Sequence, residues 1–186
     1  MDMVLGKVKN MPDELITRAK AGDTGAWRAL YDQNSPSVYS LCVRMCGNRH
    51  DAEDILQESF VSAFRKIGQL RDETIFGGWL RRITINHCLS YLRSQIVYKP
   101  IADEPDPAEE DVGEDCLQSI PFADIQQAIT GLPVKCRVVF VLVAMEDYSH
   151  QEVANVLNIS VSTSKSQYHR GKQLLKIKLS QYSKNG

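Results

Sequence analysis

Long apolar runs are absent from this sequence of 186 residues. The longest, Val138 to Met145, is far shorter than the ~20 residues that a membrane-spanning helix needs. No early segment combines a basic start with an apolar stretch, so we expect no secretory signal. Charged residues at 24% and hydrophobic residues at 43% are ordinary for a globular protein. The sequence therefore favours a cytoplasmic protein without membrane insertion.

Cysteine is sparse and odd in number. The five cysteines have irregular spacing, which argues against a disulfide framework. Cys42, Cys46 and His50 are four residues apart and suggest a metal or redox sensor as one alternative, although Gly47 is expected to end that helix before His50. Cysteines that act as small buried hydrophobes are far commoner. We therefore predict no metal site.

Catalytic signatures are also missing. The chain contains no nucleophile–base set, no phosphate-binding glycine loop and no paired catalytic carboxylates. We accordingly predict no catalytic residues, no cofactor and no enzymatic activity.

The net charge of −1 conceals a strong asymmetry. Residues 1–99 carry 14 Lys/Arg against 11 Asp/Glu, and residues 121–186 carry 8 against 4. Residues 100–120 carry eight acids and no basic residue. Segment 97–120 also has three prolines, so it cannot bury a core and is predicted to be a flexible acidic linker. Two basic bodies joined in this way suggest polyanion binding at both ends.

Helices are predicted for most of the remaining chain. Pro12 starts the first helix, Asp23 caps a second that runs to about Gln33, and Ser35 with Pro36 is expected to cap and start a third. The next helix runs from Asp51 to about Ile67, with carboxylates in its opening turns and an apolar face behind them. Taken alone, it is an amphipathic helix with a solvated acidic side.

A long helix from about Ile75 to Gln95 combines aromatic and basic side chains, and we expect Thr74 to cap it. Phe76, Trp79 and Tyr91 accompany Arg81, Arg82 and Arg93, with no acid between Phe76 and Lys99. Rings on which bases stack, beside cations that hold phosphates, suit single-stranded nucleic acid. The competing interpretation is that Phe76 and Trp79 simply belong to the core.

The last third of the chain has the pattern of a helix-turn-helix unit. Ser149 and Glu152 form a capping box that opens a short helix, and Asn158 is a good left-handed end. A final helix, capped by Ser160 or Ser162, runs to about Leu179. Six Lys/Arg and no acid follow Ser160. A capped short helix, a tight turn and a basic second helix are typical of duplex DNA binding.

These segments in this order resemble the sigma-70 family, specifically the extracytoplasmic-function sigma factors. The resemblance rests on GNRHDAEDILQESFVSAF (Gly47–Phe64), on Tyr91-Leu92-Arg93, and on Gly131-Leu132-Pro133 in the second part. Three further sets carry it: Phe76, Trp79, Leu80, Ile83 and Asn86; Tyr148, Ser149, Glu152, Val153 and Ala154; and Lys165, Ser166, His169 and Arg170. It implies an all-α fold of two small helical domains joined by the acidic linker. The expected domains are region 2 over 11–96, the linker over 97–120, and region 4 over 121–182.

The resemblance also implies partners and site residues. Core RNA polymerase is expected to bind through the clamp helices of its largest subunit and the flap of its second-largest subunit, promoter DNA is the second partner, and an anti-sigma factor is a third. The expected polymerase-binding residues are Asp51, Glu53, Asp54, Gln57 and Glu58. Those for the −10 element are Arg71, Asp72, Phe76, Trp79, Arg82, Asn86 and Arg93. Those for the −35 element are Ser160, Ser162, Thr163, Lys165, Ser166, Gln167, His169, Arg170 and Lys172.

Three features depart from the family pattern. After Leu92-Arg93 the usual run of arginines is replaced by Ser94-Gln95-Ile96-Val97, which predicts weaker non-specific binding to duplex DNA. Ser164 stands where a valine is usual, which predicts a weaker hydrophobic seat for the last helix, and Gln167 replaces a common arginine. The main alternative function is a helix-turn-helix regulator that binds duplex DNA without polymerase. It explains residues 131–179 but leaves the aromatic-basic helix and the acidic linker without a role.

Overall fold

The structure, a computed structural model, describes residues 12–98 and 121–183. Those residues form eight α-helices and no β-strand. They are α1 (Pro12–Lys20), α2 (Thr24–Cys46), α3 (Arg49–Lys66), α4 (Phe76–Tyr98), α5 (Phe122–Thr130), α6 (Val134–Met145), α7 (His150–Leu157) and α8 (Val161–Ser183). Two short 3-10 turns, Ile67–Gln69 and Glu73–Ile75, connect α3 to α4. The all-α prediction is confirmed.

Helices α1 to α4 form a first body around an apolar core. Leu15 and Ile16 of α1, Leu41 of α2, Phe60 of α3 and Leu80 of α4 are each at most 2% exposed. Aromatic rings pack together on one side of this core. The ring centroids of Trp27 and Phe64 are 4.1 Å apart in an edge-on arrangement, and those of Tyr31 and Phe60 are 4.6 Å apart. Each of the four helices buries one stripe, as the spacing of its apolar residues predicted.

The expected break at Ser35 and Pro36 was wrong, because α2 is one continuous helix. Asp32, whose carbonyl the missing Pro36 N–H leaves unpaired, is exposed like Pro36, so water can reach that side of the helix. Buried residues before and after the proline, such as Leu30 and Val38, pack into the same core and hold both halves on one axis. Tertiary packing therefore outweighs the local signal for a helix start.

The helix ends follow the capping signals more closely. Asp23 accepts N–H bonds from Gly25 and Ala26, and Asn48 accepts one from Asp51. Asp72 rather than Thr74 caps the turn before α4, because its carboxylate accepts the Thr74 N–H at 2.9 Å. Helix α4 continues to Tyr98, past the predicted boundary at 96, and residues 99–120 of the predicted linker lie outside the described residues.

Helices α5 to α8 form a second body that packs against the first. Val139, Val141 and Leu142 of α6 and Val153 of α7 are at most 1% exposed, and they belong to the same apolar cluster as the core of the first body. A Cβ built on Gly171 of α8 would lie 3.4 Å from the carbonyl oxygen of Cys136 in α6, so the two helices approach closely there. In this structure the two bodies share one continuous apolar core.

Candidate functional site

Helix α3 presents an acidic face to solvent. Its apolar side, including Ile55, Phe60 and Ala63, is buried against the rest of the first body. Four of the five residues predicted for polymerase binding are exposed on the other side, and we call them the acidic face: Glu53, Asp54, Gln57 and Glu58. The carboxylates near the N-terminus of α3 also suit the positive end of the helix dipole.

The fifth predicted residue, Asp51, is tied into the first body. Its carboxylate accepts short hydrogen bonds from the Tyr91 hydroxyl of α4 and the Asn48 side-chain amide. These bonds, the Tyr91 bond foremost, hold the pKa of Asp51 below its usual value. Burial and then the adjacent Asp51 carboxylate raise the pKa of Tyr91 to about 12. Asp51 therefore fastens α3 to α4 instead of standing free with the acidic face.

The turn before α4 holds two of the residues predicted for the −10 element. Arg71 is exposed. Asp72 is also exposed, but its carboxylate accepts the Thr74 N–H and so caps the turn. Lys20 of α1 donates to the Leu70 carbonyl at 2.9 Å and to Glu73 at 3.0 Å, which anchors the turn to the first body. The turn is thus short and well fastened.

Helix α4 separates its aromatic and basic residues. Phe76 is 4% exposed and belongs to the core, while Trp79 is half-buried with its ring 6.1 Å from that of Phe76. In this conformation the Phe76 ring is not accessible to a base. Arg82 and Asn86 are exposed on the outer side of the helix.

The helix-turn-helix prediction agrees with the geometry of α7 and α8. Ser149 and Glu152 form the complete capping box, and Asn158 has the left-handed φ of 55°. Ser160 accepts the Thr163 N–H at 3.0 Å and so caps α8. The residues predicted for the −35 element that are exposed on α8 and its cap are Ser160, Ser162, Thr163, Lys165, Ser166, His169 and Lys172.

Ser164, where the family pattern has valine, is fully buried on the inner side of α8. Its hydroxyl is 2.9 Å from Nδ1 of His150, and the His150 ring meets Tyr168 edge-on at 5.4 Å. A hydrogen bond between α7 and α8 thus replaces the apolar contact that a valine would make. Tyr168 also stacks on Phe140, with the two ring centroids 5.9 Å apart. The inner side of α8 therefore makes a polar contact through Ser164 and aromatic contacts through Tyr168.

The remaining α8 candidates, Gln167 and Arg170, are half-buried. Cys136 donates its thiol hydrogen to Gln167 Oε1 at 3.1 Å. Gln167 and Thr163 also line an apolar cleft of about 330 Å³ whose other wall includes Leu89 and Leu92 of α4. The side of α8 that is predicted to contact the −35 element therefore partly faces the first body.

The cysteines are buried and do not gather with His50. Cys42, Cys46 and Cys88 pack together between α2 and α4, and contact with the other two thiols, together with burial, raises the pKa of Cys88. His50 is exposed on α3, 3.5 Å from Asp54. Within the two described ranges no group of three or more His, Cys, Asp or Glu is arranged to hold a metal ion.

Sequence reasoning missed three charged residues in the interior. Arg44 and Arg137 are each 6% exposed, and the Glu146 side chain is 3% exposed. Arg137 and Lys135 are the two charged residues in the stretch VKCRVVFVLVAM, and a charge within so apolar a helix is the available signal. All three lie where the two bodies meet.

Family comparisons match both bodies. The model for sigma-70 region 2 matches residues 30–96, and the model for sigma-70 region 4 matches residues 122–175. No helix in the described parts of the chain is long and apolar enough to cross a membrane.

Two relatives align with nearly the whole chain. The ECF RNA polymerase sigma factor SigE of Mycolicibacterium smegmatis is 36% identical over 170 residues, which cover 87% of this chain and 66% of that protein. The chain thus spans about two thirds of that relative. The ECF RNA polymerase sigma factor SigW of Bacillus subtilis is 33% identical over 181 residues, which cover 88% of this chain and 94% of that protein.

Two solved structures share the fold. One is the sigma factor RpoE in complex with the anti-sigma factor NepR from Bartonella quintana, with a TM-score of 0.54, 18% identity, and coverage of 82% of this chain and 96% of that chain. The other is CnrH in complex with the cytosolic domain of CnrY, with a TM-score of 0.50, 20% identity, and coverage of 89% and 95%. At these identities the likeness concerns the fold alone.

Proposed function

The chain belongs to the sigma-70 family of RNA polymerase sigma factors, in its extracytoplasmic-function group, and from this premise we propose which surfaces perform promoter recognition. Its function is to bind core RNA polymerase and direct promoter-specific initiation through −35 and −10 elements. The observation that carries this conclusion is the match of region 2 and region 4 models, in that order, to two successive helical bodies.

The acidic face of α3 is the proposed docking side for polymerase. It is exposed, it opposes the buried side of the helix, and its charge repels DNA. The proposed partners are the clamp helices of the largest subunit, while the second body contacts the flap of the second-largest subunit. Asp51 contributes through Tyr91 by fixing the angle between α3 and α4.

The turn before α4 and the outer side of α4 are the proposed −10 reader. Arg71, Arg82 and Arg93 supply positive charge for the backbone of a melted strand, and Asn86 has the amide that can hydrogen-bond to an unstacked base. Trp79 is half-buried, so part of its side chain stays accessible. We assign Phe76 a supporting role under Trp79, because its own ring lies in the core.

Helix α8 is the proposed −35 reader. Its capped N-terminal turns carry the exposed hydroxyl groups of Ser162, Thr163 and Ser166, which can donate to and accept from base edges in a major groove. Lys165 and Lys172 supply cations for flanking phosphates. The Ser164–His150 hydrogen bond holds α8 against α7 in place of a valine.

The proposed setting is the cytoplasm, where core polymerase and promoter DNA are found, and an anti-sigma factor is a further proposed partner. Sigma factors are not enzymes, and we propose no catalytic role for this chain. The alternative of a helix-turn-helix regulator that works without polymerase is not favoured, because region 2 also matches.

The decisive experiment is transcription in vitro with purified core polymerase on fragmented genomic DNA, followed by mapping of the RNA 5′ ends. We expect transcripts that start a fixed distance from a shared pair of sequence elements and that require both the chain and the core enzyme. A chain that binds duplex DNA but neither associates with core polymerase nor directs initiation would reject the proposal in favour of the regulator.

A further inference from the structure

The apolar cleft of about 330 Å³ lies where α4, α6 and α8 meet. Leu89 and Leu92 line it from α4, Val138 and Val139 line it from α6, and Ile159 lines it from the turn between α7 and α8. Pockets that hold small ligands have volumes of ~300–1,000 Å³ and are lined mostly by apolar side chains. The cleft meets both conditions.

The walls of the cleft are made of side chains that are otherwise buried. Leu89, Val138 and Val139 are each at most 5% exposed. Protein interiors are close-packed, and apolar atoms that border a cleft lack the contacts that neighbouring atoms would supply. An apolar ligand would supply those contacts and displace water from the walls.

Positive charge and hydrogen-bond donors accompany these apolar walls. Arg93 and Lys135, both exposed, line the cleft, and no acid is among its described lining residues. Arg93 Nη2 donates to the Val156 carbonyl at 2.6 Å, which holds the guanidinium in place beside the cleft. Thr163 and Gln167 of α8 add hydroxyl and amide N–H groups. This combination favours a ligand with an anionic head group.

A second cleft between the bodies, of about 570 Å³, has a different balance of charge. Arg81 and Arg82 line it together with three acids, Glu146, Asp147 and Glu152. Its cations therefore meet carboxylates of the protein itself, and an anionic ligand would be repelled by the same acids. Of these two clefts, only the first combines apolar walls with positive charge and no described lining acid.

We propose that the cleft between α4, α6 and α8 is a binding site for a single-chain fatty carboxylate. The alkyl chain lies against Leu89, Leu92 and Val138, and the carboxylate accepts hydrogen bonds from Arg93 and Lys135. At ~30 Å³ for a group the size of a water molecule, the cleft holds a chain of about ten carbons. The site goes beyond the proposed function, because such binding requires neither DNA nor polymerase.

The first test measures binding of saturated fatty carboxylates to the full-length chain by equilibrium dialysis, below the concentrations at which they form micelles. We expect decanoate to bind at one site with a Kd on the order of 10–100 μM, as suits a ligand of about a dozen non-hydrogen atoms. From hexanoate to decanoate the affinity is expected to rise about fourfold per methylene and to level off in longer chains, because the cleft is then full. A rise that continues unchanged to tetradecanoate would contradict a bounded cleft.

The second test separates the head group from the chain. Lys135→Glu is expected to weaken decanoate binding at least about tenfold and to leave binding of decan-1-ol unchanged, because only the carboxylate meets the new charge. Lys66→Glu, exposed at the end of α3 and with the same change in charge, is the control and is expected to match the wild type.

The third test fills the cleft without changing charge. Val138 is 5% exposed and packed on its other sides, so a phenyl ring at this position has room only in the cleft. Val138→Phe is expected to weaken both decanoate and decan-1-ol at least about tenfold. Val61→Phe, at a site on α3 that is 47% exposed, is the control. Circular dichroism checks the fold, and the exposed Lys135→Glu keeps the site testable if the larger ring disrupts it.

The site would be overturned by a wild type without saturable decanoate binding, or by decyltrimethylammonium that binds as tightly as decanoate. Equal losses in Lys135→Glu and Lys66→Glu, or full affinity in a folded Val138→Phe variant, would equally overturn it. None of these measurements contains polymerase or DNA. A failed transcription assay would therefore reject the proposed function alone, and a failed decanoate titration would reject the site alone.

Discussion

The outer sides of α3 and α4 are neighbours with opposite charge and different contacts to the second body. The acidic face of α3 lies in solvent, and no part of the second body that the structure describes pairs with it. The arginines of α4 differ in their contacts: Arg81 is paired with Glu146 of the second body, Arg93 donates to the Val156 carbonyl but is itself exposed, and Arg82 is exposed. The acidic face is thus free of the second body, while two of the three arginines of α4 contact it.

The difference follows from the partners that packing brings to each helix. Glu146 and the Val156 carbonyl of the second body accept from Arg81 and Arg93 of α4. The ion pairs of the acidic face, Asp54 with His50 and Glu58 with His87, stay within the first body. Four predictions test this contrast, in decreasing order of expected effect.

Reversal of two acids on the acidic face should have the largest effect. Asp54→Lys with Glu58→Lys is expected to weaken binding to core polymerase about 30-fold, or ~2 kcal/mol, because a complementary contact becomes repulsive. The measurement is a competition assay with labelled wild type. Glu14→Lys with Asp32→Lys, two exposed acids on α1 and α2, is the matched control. Equal losses in both pairs would reject the docking surface.

Removal of two exposed cations from α4 should weaken DNA binding. Arg82→Ala with Arg93→Ala is expected to weaken promoter binding by the polymerase-bound chain about tenfold and to reduce its salt slope by about 1.4. The measurement is fluorescence anisotropy on promoter DNA over a range of salt concentrations. Arg65→Ala with Lys66→Ala, exposed at the end of α3, is the control. An unchanged salt slope would mean that these two arginines do not contact DNA.

Ser164→Ala tests whether α8 depends on its hydrogen bond to α7. The change leaves Nδ1 of His150 without its partner at 2.9 Å, and we expect a loss of about 1 kcal/mol in the free energy of unfolding. Urea denaturation measures it, with Ser166→Ala on the exposed side of α8 as the control. A fully stable Ser164→Ala variant would show that His150 finds water instead.

Tyr91→Phe should give the smallest effect on the free energy of unfolding, and this effect should depend on pH. The Tyr91 hydroxyl lowers the pKa of Asp51 in the folded state, so its stabilisation is complete above the unfolded pKa of ~3.9 and is lost as pH falls through the lower folded value. The stability gap between wild type and Tyr91→Phe is therefore expected to be constant from pH 7 to about 4 and to shrink below. Urea denaturation across this range, with Tyr39→Phe as control, measures it. A gap that persists to pH 2 would contradict the assignment.

The site predictions and the structure agree best where chemistry is local. The capping box at Ser149, the left-handed Asn158 and the exposed acids of α3 follow from neighbouring residues, and the sequence pattern alone located them. The predictions were less successful for α2, whose helix-start signal at Pro36 was overridden by packing on both sides. Phe76 resembled a base-stacking residue in sequence and lies in the core.

By itself the sequence determined the all-α class, the two bodies, the charge asymmetry and the family, because each follows from periodicity, capping residues and motifs within short windows. Only the tertiary structure decided which charges face which. Arg137 and Cys46 are 91 residues apart, and Arg81 and Glu146 are 65 apart. Such pairings are fixed by how whole helices pack, since a buried charge settles where a partner from another element reaches it. Which arginines of α4 contact the second body and which stay exposed is for that reason a property of the packed chain.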